Sequence, residues 1–99
     1  MMVEASDDVE KISDFYDLQE AGVGDYFKES LSCDLDRLAW LHGVHPKRFG
    51  FYKVKAEHFP HGIYYLLEND MVAVYAVLDL RRNPAWLKAQ LSKRKPRES

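Results

Sequence analysis

The chain is 99 residues long, 46% hydrophobic and 30% charged, with a net charge of −2. This length and composition predict one domain around a single hydrophobic core and exclude a disordered or fibrous chain. The one cysteine, Cys33, excludes an internal disulfide framework, and no apolar run reaches the roughly 18 residues of a membrane-spanning helix. With no secretory signal at its start, the chain is expected to be cytoplasmic and to have no membrane partner.

Two amphipathic helices are predicted in the first half of the chain. Apolar residues recur at helical spacing over residues 7–19, and Ser6 is the expected N-cap. Gly22 is expected to end this helix, and a second helix runs over residues 24–41. The short link makes the pair an antiparallel hairpin. Cys33 in the second helix has no base near it in sequence and is expected to be an inert thiol, buried or half-buried.

Three antiparallel strands are predicted in the second half of the chain. Alternation predicts a strand over residues 50–56, and runs of β-forming residues predict two further strands over 62–67 and 71–78. Asn69 and Asp70 suit the tight turn between the last two strands, because both tolerate positive φ.

A short helix and a basic tail follow the strands. Asn83 is a good N-cap and Pro84 suits the first turn of a helix. A single domain is therefore predicted over residues 1–92, with an α+β fold in which the helical hairpin packs on a three-stranded antiparallel sheet. Residues 93–99 are expected to form a mobile basic tail.

The charges are divided unevenly between the two halves. Residues 1–45 carry eleven acids and three bases, a net of −8, whereas residues 46–99 carry five acids and eleven bases, a net of +6. The candidate binding residues in the basic half are Lys53, Lys55, Arg81, Arg82 and Trp86. The two lysines point to one strand face, and the arginines at the end of the last strand are expected near that face. The sequence thus predicts a site for a phosphate backbone or for an acidic protein surface, with an ordinary solvated strand face as the alternative.

Four histidines form two His-x-x-His pairs, His42 with His45 and His58 with His61. Four imidazoles could hold a zinc ion, but each pair lies in a loop interrupted by glycine or proline, and no cysteine or carboxylate completes a known spacing. Ordinary loop histidines are the favoured alternative, so no metal and no other cofactor is predicted. The common phosphate-binding and nucleophile motifs are absent, and no catalytic residue is assigned.

Three segments resemble the RelE/ParE family of bacterial type II toxins. They are the phenylalanine-proline step and aromatic strand of residues 59–65, the last strand with its arginine-arginine-x-proline end at 74–84, and the helix link at 21–27. The resemblance covers most of residues 5–92 and implies a RelE/ParE toxin-like fold. It also implies a growth-arresting toxin that a cognate antitoxin protein neutralises.

The resemblance implies two alternative targets. RelE-like members cleave messenger RNA on the ribosome with basic residues on the sheet face, and Lys53, Lys55 and Arg82 match that pattern. However, the family's mid-sheet arginine falls on or next to Gly62, and no tyrosine or histidine follows Tyr75 to donate a proton. These departures favour ParE-like inhibition of DNA gyrase without chemistry of the toxin's own. A ribosome-dependent endoribonuclease and a degenerate, non-toxic binding protein are the alternatives.

Only Val3-Glu4-Ala5 lies between the initial methionines and Ser6, so the strand with which the family opens is expected either to be nearly lost or to precede a start that is placed too late. A three-stranded meander would then leave two open edges, and the hairpin would cover only one of its apolar faces. We therefore expect an antitoxin segment or a second copy of the chain to lie against the sheet. On this argument the chain is not a stable free monomer, and homo-oligomers or toxin–antitoxin hetero-oligomers are expected.

Overall fold

The computed structural model describes residues 1–96, which form two N-terminal helices, a four-stranded antiparallel sheet and a C-terminal helix. The elements are α1 (Val3–Gln19), α2 (Val23–Trp40), β1 (Lys47–Arg48), β2 (Phe51–Lys55), β3 (His61–Glu68), β4 (Met71–Asp79) and α3 (Pro84–Arg94). The strand order in the sheet is β1-β2-β3-β4, the same as in the chain. The predicted α+β class and the helical hairpin are confirmed, whereas the last residues of the predicted tail, 97–99, lie outside the described residues.

Helix α1 begins four residues earlier than predicted, so the N-cap prediction for Ser6 is wrong. Met2 precedes the helix, and its backbone N–H donates to the carbonyl of Val74 on β4 at 2.9 Å. Ala5 in the first turn is fully buried in the core between α1 and the sheet. Packing of an apolar residue therefore stabilises a helical turn where the capping pattern predicts none.

Helix α2 buries one stripe of residues spaced three and four apart. Its largest members are Phe27, Leu31 and Leu38, and the stripe also includes Asp34, whose pKa is raised by burial. Cys33 lies off this stripe and is exposed, so the prediction that it is at least half-buried is wrong.

The sheet has a short fourth strand, which corrects the prediction of three. Strand β1 pairs with the start of β2 across a turn whose central residues, Phe49 and Gly50, have φ of 56° and 85°. Two residues are too few to show an alternating pattern, and phenylalanine rarely adopts positive φ. The turn predicted at Asn69 and Asp70 is confirmed, with φ of 53° and 62°.

Both faces of the sheet are covered by the chain itself. On the hairpin face, Ile63 and Tyr65 belong to a buried cluster with residues of α1 and α2. On the opposite face, here called the α3 face, Tyr64 is fully buried in a second cluster with Leu87 and Leu91 of α3. This arrangement corrects the expectation that the α3 face lacks a cover within the chain.

The outer edge of β4 is also engaged, by side chains of α1 and α3. The Val77 N–H donates to the Asp8 carboxylate at 3.0 Å, and Arg94 donates to the Tyr75 carbonyl at 3.3 Å. Arg94 also donates to both oxygens of Asp8, at 2.5 and 2.9 Å. The prediction of an open edge is therefore wrong for this part of β4, because the Val74 and Tyr75 carbonyls and the Val77 N–H already have partners.

Candidate binding site

The lysines of the candidate site lie on the α3 face. Lys53 pairs in register with Tyr64, and Lys55 pairs with Gly62, so both side chains project from the face on which Tyr64 is buried. Trp86 of α3 packs against the buried cluster of the same face. The structure thus places three of the five predicted residues on one side of the sheet.

Arg82 joins this group through Trp86. The guanidinium carbon of Arg82 lies 3.8 Å from the centroid of the indole ring, while the arginine side chain stays exposed. Asn83 sets the geometry, because its side chain accepts from the Ala85 N–H at 2.8 Å and begins α3, with Pro84 in the first turn. The predicted N-cap is confirmed, and the cation–π contact holds the Arg82 guanidinium against the indole ring.

Arg81 is directed toward the other side of the sheet. Its Nε and Nη2 atoms donate to the two carboxylate oxygens of Asp79, at 3.0 and 2.8 Å, and this pairing lowers the pKa of Asp79 below its usual range. Asp79 lies opposite His61 in the ladder, on the hairpin face. Arg81 is therefore paired and separated from the two lysines, which have no such contact with Asp79.

Gly62 stands where the family resemblance expects a mid-sheet arginine. A Cβ atom at this position would lie 2.7 Å from Cδ2 of Leu80 and 3.1 Å from the ring of Tyr64. Leu80 therefore fills the space above the glycine, and a larger side chain would require it to move.

His61 is the functional candidate that sequence reasoning missed, because it is a buried strand residue and not a loop histidine. It is 2% exposed and lies among the rings of Tyr16, Phe27 and Phe59 under the hairpin. Its Nδ1 atom has no hydrogen-bond partner within residues 1–96. The alternation of His61 with Ile63 on the same strand face is the signal that could have placed it in the core.

The burial of His61 predicts a loss of stability in weak acid. Burial lowers the pKa of His61 in the fold, whereas its pKa in the unfolded chain is about 6.5. As the pH decreases, the unfolded state therefore binds the proton before the folded state does. The contribution of His61 to the free energy of unfolding is complete above about pH 6.5 and decreases as the pH falls below this value. Urea unfolding between pH 7.5 and 5.5 measures this decrease.

The matched variants for this prediction are His61→Gln and His58→Gln. We expect His61→Gln to flatten the pH dependence over this window, and His58→Gln, at an exposed position, to retain it. An unchanged pH dependence in His61→Gln would contradict the assignment.

The remaining histidines contact loop and helix-end groups. The Nδ1 atom of His45 lies 2.6 Å from the Tyr65 hydroxyl, which also accepts from the Gly43 N–H at 2.9 Å, and the Nδ1 atom of His42 lies 3.0 Å from the Leu38 carbonyl oxygen. Within residues 1–96, no three histidine, cysteine or carboxylate side chains group in a way that could hold a metal ion. None of the helices in this range is long and apolar enough to cross a membrane.

Comparisons of the chain with protein-family models, with curated proteins and with solved structures gave no match.

Proposed function

We propose that the protein is the toxin of a type II toxin–antitoxin system, with a RelE/ParE-like fold, and that it inhibits DNA gyrase by binding. The composition of the α3 face is the observation that carries this proposal. Lys53, Lys55 and Arg82 supply cations for a target or an acidic antitoxin segment, whereas Leu80 fills the space over Gly62. The face keeps the binding charges of the family without the mid-sheet arginine.

Proton transfer is poorly supported on the same face. Its two central tyrosines, Tyr64 and Tyr75, are buried, and the hydrogen bond that Tyr75 donates to Glu68 raises the pKa of Tyr75 to about 12. A general acid works best with a pKa near the working pH, so this phenol is a weak proton donor for RNA cleavage. These features favour a toxin that acts by binding over a ribonuclease.

The experiment is expression of the chain without an antitoxin, followed by assays of the purified protein. We expect growth arrest, inhibition of gyrase supercoiling, and no cleavage of ribosome-bound messenger RNA. Arg82→Ala should weaken supercoiling inhibition about tenfold, because a charge-assisted contact contributes about 1.5–3 kcal/mol, and inhibition by the wild type should fall with added salt. The charge-matched control is Lys28→Ala, on the hairpin and paired with Glu10.

The alternatives have distinct outcomes in these assays. Codon-edge cleavage in a translation extract without gyrase inhibition would replace the proposal with a ribosome-dependent endoribonuclease. Normal growth together with intact gyrase activity would indicate a non-toxic binding protein.

A further inference from the structure

A cleft between α1 and α3 lies at the outer end of β4, on the opposite side of α1 from α2. Its volume is about 370 Å³, within the range of pockets that hold small molecules. We call it the α1–α3 cleft and define it by Lys11, Phe15, His61, Arg81, Arg82 and Trp86. The cleft shares Arg82 and Trp86 with the surface proposed for target binding, whereas Lys11, Phe15 and His61 belong to the cleft alone.

The charges of the cleft favour an anion. Four cations and two carboxylates line it, and the carboxylates are already paired, Asp8 with Arg94 and Asp79 with Arg81. Lys11 and Arg82 are then the two cations of the cleft without an acidic partner, since no carboxylate within residues 1–96 lies within ion-pair distance of either. The uncompensated charge is +2, and a phosphate monoester carries about −1.5 to −2 at neutral pH.

The aromatic residues of the cleft favour a flat ring on that anion. Phe15 contributes an exposed ring from α1, with 53% of the residue accessible, and Trp86 contributes the indole that stacks under Arg82 from α3. Aromatic side chains and arginine planes bind nucleobases by stacking. A planar ring joined to a phosphate satisfies both features at once.

The third feature is His61 at the inner wall. Its Nδ1 atom is buried and lacks a hydrogen-bond partner in the described part of the chain, and an unpaired buried polar atom lowers the stability of the fold. A neutral imidazole offers one donor and one acceptor, which suits the polar edge of a base or a ribose hydroxyl.

We propose that the α1–α3 cleft binds a nucleoside monophosphate, either free or as the 5′-terminal unit of a nucleic acid strand. Lys11 and Arg82 hold the phosphate, Phe15 and Trp86 contact the base, and His61 hydrogen-bonds the polar edge of the ligand.

Trp86 fluorescence tests the proposal directly. A Trp40→Phe background leaves Trp86 as the only tryptophan, and Trp40 is 90% exposed, so the substitution spares the core. We expect adenosine 5′-monophosphate to quench the signal with saturation below about 1 mM. Adenosine alone and inorganic phosphate alone should each bind at least about tenfold more weakly, because each loses stacking or charge-assisted contacts.

Two lysine variants and the NMR signals of His61 test the same site independently. Lys11→Ala should weaken adenosine 5′-monophosphate about tenfold, whereas Lys28→Ala, a lysine outside the cleft, should not. In the unmodified chain, the ¹⁵N resonances of the His61 ring should shift on binding, which a purely external contact with Trp86 would not cause.

Tighter binding of a 5′-phosphorylated tetranucleotide than of the mononucleotide would identify a strand end as the ligand, and equal or weaker binding would identify the free nucleotide.

Three results would overturn the proposal. The first is the absence of saturable quenching by either phosphorylated probe, and the second is binding by Lys11→Ala that equals that of the wild type. The third is saturable quenching by an acidic aromatic peptide, acetyl-Asp-Phe-Asp amide, with none by the nucleotides, which would assign the cleft to a protein segment.

Discussion

Replacing Asp8 with alanine should lower the free energy of unfolding by about 3–5 kcal/mol, because it leaves a largely buried arginine without its charge partner. The side chains of Arg94 and Asp8 are 13% and 11% exposed, and two parallel hydrogen bonds join them. Asp8 also accepts from the Val77 N–H on β4. The substitution therefore removes two hydrogen bonds to α3 and one to the sheet edge, and chemical denaturation measures their combined effect on stability.

The exposed pair of Arg81 and Asp79 is the matched control, with side chains 65% and 27% accessible. Arg81→Ala should change stability by less than about 1 kcal/mol, since exposed ion pairs contribute little. The double variant Asp8→Ala/Arg94→Ala should lose less than the sum of the single variants, because the charges are removed together. Equal losses from Asp8→Ala and Arg81→Ala would show that burial does not matter for this pair.

The Asp8–Arg94 ion pair could not be predicted from the sequence. Its members are separated by most of the chain, and Arg94 falls in the segment interpreted as a mobile tail. Periodicity reports which face of one element is apolar, but it contains no information on which side chains meet across elements. Helix α3 extends to Arg94, where this tertiary contact holds its last turn.

The elements with strong local patterns were predictable. The strand predicted over 62–67 lies within β3, the one predicted over 71–78 within β4, and the turn between them is at the predicted residues. For the site, the period of two placed Lys53 and Lys55 on the same face correctly. The positions of Arg81 and Arg82 follow β4, where no periodicity applies, and their separation depends on Asp79 and Trp86 as local partners.

The helical hairpin depends on a close approach of α1 to Gly24 in the first turn of α2. The N–H of Gly24 donates to the Asp17 carboxylate at 2.8 Å. A Cβ atom at Gly24 would lie 2.5 Å from the backbone carbonyl oxygen of Ser13 and 2.6 Å from an oxygen of Asp17. Because backbone atoms of α1 are the obstacle, a side-chain rotation cannot relieve the contact.

Gly24→Ala should therefore lower the free energy of unfolding by about 2–3 kcal/mol, through forced separation of α1 and α2. Gly22→Ala is the control: its φ of 93° makes alanine strained, at about 1–2 kcal/mol, but nothing lies within 4 Å of the added Cβ. Adding Ser13→Ala removes the hydroxyl oxygen near Gly24 and leaves the carbonyl in place, so this second substitution should not restore stability to Gly24→Ala. Denaturation of the three variants tests the account. A free energy of unfolding of Gly24→Ala equal to that of the wild type would mean that the two helices can separate freely. The hairpin would then not set the position of His61 beneath it.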